Sequence, residues 1–113
     1  MIDESLRAKI VDIAELFRGD LTDFGLYEVW PEIKYGLNID DDDKVKALTL
    51  EVVREMLRRG ARVDFGDDTP ANMRSAGKAA EEVVARIARE WDALGHLPDM
   101  GEVCYIEYPP SKQ

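Results

Sequence analysis

Sulfur and imidazole are scarce in this chain. One cysteine, Cys104, excludes an intramolecular disulfide, and one histidine, His96, excludes a site built on two imidazoles. Nucleophilic catalysis needs an activated side chain with a base beside it. His96 sits in a Gly-His-Leu-Pro connector and Cys104 in a segment of strand-forming residues, so His96 reads as a surface or capping residue and Cys104 as a small buried apolar one. No apolar run approaches the ~20 residues of a membrane span. The N-terminal MIDESLRAKI is charged and lacks the apolar stretch of a signal peptide, so the expected compartment is the cytosol, where a free thiol is normal. Positive charge is also short: 15 Lys and Arg against 24 Asp and Glu give a formal charge of −9, which weighs against a general nucleic-acid binder, since phosphate binding needs a cationic face. A length of 113 residues allows one domain, 1–113, and excludes a cofactor domain joined to a substrate domain.

What is present suffices for a core, with 45% hydrophobic residues arguing against global disorder. The spacing of Leu6, Ile10, Ile13 and Phe17 predicts a helix over Asp3–Arg18, with Asp3 as N-cap and Gly19 ending it. Asp20–Thr22 offers the next cap. A second helical pattern covers Asp23–Tyr35 through Phe24, Tyr27, Trp30 and Ile33, weakened by Gly25 and kinked or divided by Pro31. A third helix, Asp41–Arg59, carries Val45, Leu48, Val52 and Met56 on one face, acids at its start and Arg58 and Arg59 at its end, as the helix dipole favours. Ala61–Phe65 alternates as a strand. Gly66–Pro70 signals a turn, and the polar chain from there to Gly77 is the expected mobile loop. Lys78–Leu94 is again helical, with Ala80, Val84, Ile87, Trp91 and Leu94 as its apolar stripe. Glu102–Tyr108 is a strand by composition, stopped by Pro109 and Pro110.

The predicted class is therefore α+β and mainly helical. Three helices followed by a two-stranded ribbon form a winged-helix-like arrangement, here with the helix Lys78–Leu94 inserted between the strands. Pairing Ala61–Phe65 with Val103–Tyr108 stabilises such a ribbon only if it packs on helices. The alternative is an all-helical bundle with a loose C-terminal strand.

Three motifs bear on chemistry. Asp40, Asp42 and Glu51 occupy the first, third and twelfth positions of a calcium loop, but Lys44 takes the fifth and Val45 the glycine position, so no metal is expected. Asp64-Phe65-Gly66 matches the metal-binding triplet of kinases in a chain too short to be one. The third helix, as a groove reader, would offer Lys44, Lys46, Arg54, Arg58 and Arg59, with Arg62 after it. However, Glu51 and Glu55 stand at ion-pair spacing from its arginines, and its acidic start would face phosphate. No catalytic constellation or cofactor signature remains, which points to a non-enzymatic protein.

The four consecutive aspartates Asp40, Asp41, Asp42 and Asp43 exceed what capping one helix requires, for which Asp40 as N-cap and one or two first-turn acids such as Asp43 suffice. With Asp64, Asp67 and Asp68 they form the candidate acidic contact set. Trp30, beside Pro31, fits equally as core filling or as an interface anchor, with Tyr35 as its neighbour. Tyr105 and Tyr108 fall on opposite faces of their strand.

The stretches YEVWPEIKYGLN (Tyr27–Asn38) and REWDALGHLPDMGEVCYIEYPP (Arg89–Pro110), with the helix Lys44–Gly60 between them, resemble small acidic bacterial proteins of winged-helix-like build. They also resemble the immunity proteins of contact-dependent and other polymorphic toxin systems. That resemblance implies a cytosolic inhibitor that binds a cognate toxin, often a basic nuclease, through acidic surface complementarity. It supplies no motif that assigns individual residues. The alternatives are a winged-helix transcription regulator and a structural subunit that self-associates as a homodimer.

Overall fold

The computed structural model describes residues 3–17, 24–65 and 80–108. In order, the described elements are α1 (Glu4–Leu16), β1 (Phe24–Gly25), α2 (Leu26–Lys34), α3 (Asp42–Arg58), β2 (Arg62–Asp64), α4 (Ala80–Leu94) and β3 (Tyr105–Glu107). The chain is thus α+β and mostly helical. The cap at Asp20–Thr22, the helix stop at Gly19, the Gly66–Pro70 turn, the loop through Gly77, and Pro109 and Pro110 lie outside the described residues.

The helices begin and end for local reasons. The Asp3 carboxylate accepts from the Leu6 N–H at 2.8 Å and caps α1. Asp41, rather than Asp40, caps α3, its side chain accepting from the Asp43 N–H at 3.0 Å. Gly60 lies at φ 103 just past α3 and Gly95 at φ 76 just past α4, conformations open to glycine without strain. Helix α3 is the hub against which α1, α2 and α4 all pack. Its face of Val45, Val52, Val53 and Met56 is fully buried against Ile10, Ala14, Val29, Ile33, Ile87 and Trp91. The Thr49 hydroxyl, also buried, is satisfied by donating to the Val45 carbonyl at 2.7 Å.

The expected pairing of the two late strands is present. Val63 stands opposite Ile106 in an antiparallel ladder. A third strand completes the sheet, in the order β1-β3-β2, with Phe24 opposite Ile106 on the other side. Phe24, Ile106 and Val63 therefore form one buried row across the sheet, and Phe24 stacks on Phe17 with ring centroids 4.7 Å apart. This corrects the two-stranded ribbon and excludes the all-helical bundle. It also removes Phe24 and Gly25 from the second helix. A two-residue strand has no periodicity to detect, and Phe24 fitted the helical spacing by coincidence.

Gly25 is consequently the N-cap of α2, its N–H donating to the Glu28 carboxylate at 3.3 Å. A Cβ there would lie 2.7 Å from the Tyr27 ring. Pro31 does not divide α2, which is continuous from Leu26 to Lys34. Only one backbone donor is forfeited so near the helix end, and buried Val29 and Ile33 hold both halves onto α3. Gly36 follows, where a Cβ would stand 2.2 Å from the Glu32 carbonyl oxygen. Because that obstacle is backbone, Gly36→Ala should destabilise the fold by about 1–3 kcal/mol. An unchanged urea midpoint would show that the turn relaxes freely.

Candidate functional site

Of the sequence-selected residues, Trp30, Tyr35 and the run Asp40–Asp43 gather at one end of the fold. There, Lys34 at the close of α2 donates to the Asp42 carboxylate at 2.6 Å and to the Asp40 carbonyl at 3.5 Å, tying the helix to the aspartate run. The hydrogen bond it donates to Asp42 holds the Lys34 ammonium above its ordinary pKa. All four aspartates are exposed. Folding uses Asp41 as cap and Asp42 as the partner of Lys34. The side chains of Asp40 and Asp43 make no hydrogen bond or ion pair among the described residues.

Trp30 proves to be both structural and superficial. It is half-buried, packs against the core and donates its indole N–H to the Pro98 carbonyl at 2.7 Å. That bond fastens α2 to the connection between α4 and β3. Tyr35 leans on the Trp30 ring, centroids 6.1 Å apart, yet is 66% exposed. Of the remaining candidates, Asp64 is half-buried on β2 opposite Tyr105. Asp67 and Asp68 lie outside the described residues.

The α4–β3 connection contributes what the sequence reading missed. Asp92, Gly95, His96 and Leu97 line a cleft of about 260 Å³ together with Asp42 and Asp43. Lys46, also in its wall, pairs with Asp92. Beyond Pro98, Met100 is 68% exposed. The connection is locally strained: Val103, a β-branched residue, sits at φ 70, and the Cys104 N–H donates back to the Glu102 carbonyl at 2.9 Å around it. The helix-stop signals of Gly95 and Pro98 had marked this segment only as a connector.

Of the basic residues on α3 and its cap, Lys46 and the arginines are committed to carboxylates, whereas Lys44 is exposed and makes no hydrogen bond or ion pair among the described residues. Arg54 holds Glu81 at 2.6 and 2.9 Å and Glu51 at 2.6 Å, clamping α3 to α4. The Arg54 guanidinium keeps the Glu81 carboxyl below its usual range. Arg58 pairs with Glu55, while Arg59 bridges Glu55 and Glu15 of α1. The expected Glu55 pairs therefore exist, but Glu55 is buried, not a surface carboxylate.

Cys104 is buried and desolvation pushes its thiol pKa up, which disfavours the nucleophilic thiolate. His96 is exposed, its Nδ1 3.7 Å from the Glu102 carboxylate. Among the described residues no group of three or more His, Cys, Asp or Glu side chains is placed to hold a metal ion. No described helix is long and apolar enough to cross a membrane. No family model, curated protein or solved structure matches the chain.

Proposed function

We propose that the protein is a non-enzymatic, immunity-type inhibitor that binds a cationic protein and blocks its working surface. The observation that carries this reading is the division of labour within the aspartate run. Asp41 and Asp42 serve the fold, whereas Asp40 and Asp43 remain exposed with no side-chain hydrogen bond or ion pair among the described residues, Asp40 adding only to the field at Lys34. Their mutual repulsion opposes folding slightly, so a role in steering a basic partner accounts for them better than capping does. The likeness to toxin-immunity proteins gives the partner its expected character, a basic toxin such as a nuclease, met in a bacterial cytosol.

The test is the adjacent reading frame. Its product should arrest growth when expressed alone, and coexpression of this chain should restore growth. A harmless neighbouring product that does not bind the chain would remove the immunity reading. Asp40→Asn with Asp43→Asn keeps both the cap and the Lys34 pair. It should leave the melting temperature within about 2 °C, as expected for exposed sites away from packing. Association with the cationic partner should slow, and the deficit should shrink as salt screens it. An unchanged rate at all salt concentrations would show the run to be a solvated helix start.

The second reading, a winged-helix regulator, treats α3 as a groove reader and the segment between β2 and β3 as an enlarged wing. The ion pairs of Arg54, Arg58 and Arg59 count against it, because binding phosphate would require breaking contacts to Glu81, Glu55 and Glu15. No electrophoretic shift of duplex DNA is expected at ~150 mM salt, where nonspecific affinity is already weak. A sequence-selective shift at nanomolar protein would favour regulation instead.

A further inference from the structure

We infer that the end of the fold built from α2, the start of α3 and the α4–β3 connection docks a segment of a cationic protein. An apolar side chain of that segment lies against Tyr35 and Met100, and a lysine or arginine enters the adjoining cleft. The inference rests on the proposed inhibitor role and deepens it by locating the contact.

Tyr35 and Met100 are two of the four large hydrophobic side chains exposed among the described residues. Single exposed hydrophobics are ordinary. These two come from segments that Trp30 holds together, its ring tilted against Tyr35 and its indole N–H donating to the Pro98 carbonyl, so both are carried on a braced support. A braced aromatic loses little entropy on binding, and a flexible thioether adapts its shape to the side chain it meets.

The cleft continues this surface, because Lys34, next to Tyr35, bonds Asp42 in its wall, and Leu97 precedes the Pro98 that Trp30 holds. Its carboxylates leave room for one positive group: Lys46 pairs with Asp92 and Lys34 with Asp42, which leaves Asp43 to meet an incoming cation.

A second copy of the chain is the wrong occupant. It would set one aspartate run against another, and like charges brought together across an interface oppose association. A cationic segment reverses that sign.

Amide chemical shifts of the isotope-labelled chain, titrated at low ionic strength, test the assignment. The probes are blocked tripeptides of arginine–tryptophan–arginine, arginine–glycine–arginine and glutamate–tryptophan–glutamate. Shifts from the first should converge on Tyr35, Gly95–Leu97 and Met100, with affinity about threefold or more above the glycine peptide, the scale of one aromatic contact. The glutamate peptide should give none. Tyr35→Ala and Met100→Ala, both at exposed positions, should each erase the aromatic advantage and keep the spectrum of a folded protein. Equal affinity of the two arginine peptides, or shifts scattered over acids elsewhere, would overturn this docking surface and leave a cationic partner in place. Silence from both arginine peptides would overturn the cationic partner as well. Shifts at Tyr35 and Met100 on concentrating the chain alone would assign the surface to a second copy, against the inference.

Discussion

Trp91→Ala should lower the unfolding free energy by about 3–5 kcal/mol, the range for truncating a buried aromatic. Trp91 is 5% exposed and belongs to the same buried cluster as Val83 and Ile87 of α4 and the apolar face of α3. Removing the indole leaves a void between the two helices that the surroundings fill only in part. Since a domain of this kind holds about 5–15 kcal/mol in total, the variant loses a large share of its stability and should melt well below the native protein. Trp91→Phe should recover most of the loss. A melting temperature within a degree or two of the native one for the alanine variant would make α4 an attachable element whose packing on α3 contributes little.

Arg59→Ala should be the most costly change at any charged residue described here, about 2–4 kcal/mol. The reason is asymmetric. The Glu55 carboxylate is buried and is held by Arg59 at 2.7 Å and by Arg58, whose own side chain is 68% exposed. Without Arg59 a buried negative charge keeps only its exposed partner, and α1 loses the bridge through Glu15. Breaking a buried pair from one side costs far more than the pair is worth against an apolar replacement. Glu15→Gln, removing an exposed partner, should cost under about 1 kcal/mol. Replacing Glu55 and Arg59 together with leucine and methionine should cost less than Arg59→Ala alone. Equal losses for Arg59→Ala and Glu15→Gln, read from urea midpoints, would mean that Arg58 alone satisfies Glu55.

The same residues show why parts of the fold were legible in the sequence and parts were not. The stripes of α3 and α4 repeat over several turns, so one misplaced residue cannot disguise them. The pairing of Val63 with Ile106 followed because a short alternating strand needs a partner and only one other strand-forming segment lay downstream. Phe24–Gly25 escaped because recognition of a strand requires alternation, and two residues cannot alternate. The capping role moved from Asp40 to Asp41 because four identical neighbours give no local preference. The choice depends on where the chain leaving Gly36 rises into α3, which the bonds from Lys34 help to set. Glu55 looked like any surface acid at ion-pair spacing; its burial is a tertiary event, set where α1 packs on α3 and Arg59 bridges Glu55 to Glu15. For the candidate site, the aspartate run and Trp30–Tyr35 were visible as composition. Met100 and the cleft beside His96 were not, because exposure and a cleft between the start of α3 and the end of α4 arise only from tertiary packing.

The position of β3 has a consequence for how the molecule assembles. Both of its neighbours, β1 and β2, precede it along the chain, and among the described strands neither pairs with the other. While a ribosome has released the chain only as far as α4, the two outer strands lack the partner that joins them, whereas α1, α2 and α3 already have one another to pack against. Sheet formation is then a late, long-range closure whose entropy must be met by the row of Phe24, Ile106 and Val63 at one stroke. Helical signal should accordingly precede burial of Phe24 during refolding. A chain cut before Tyr105 would present two unsatisfied strand edges to its neighbours, with aggregation rather than a smaller stable fold as the result.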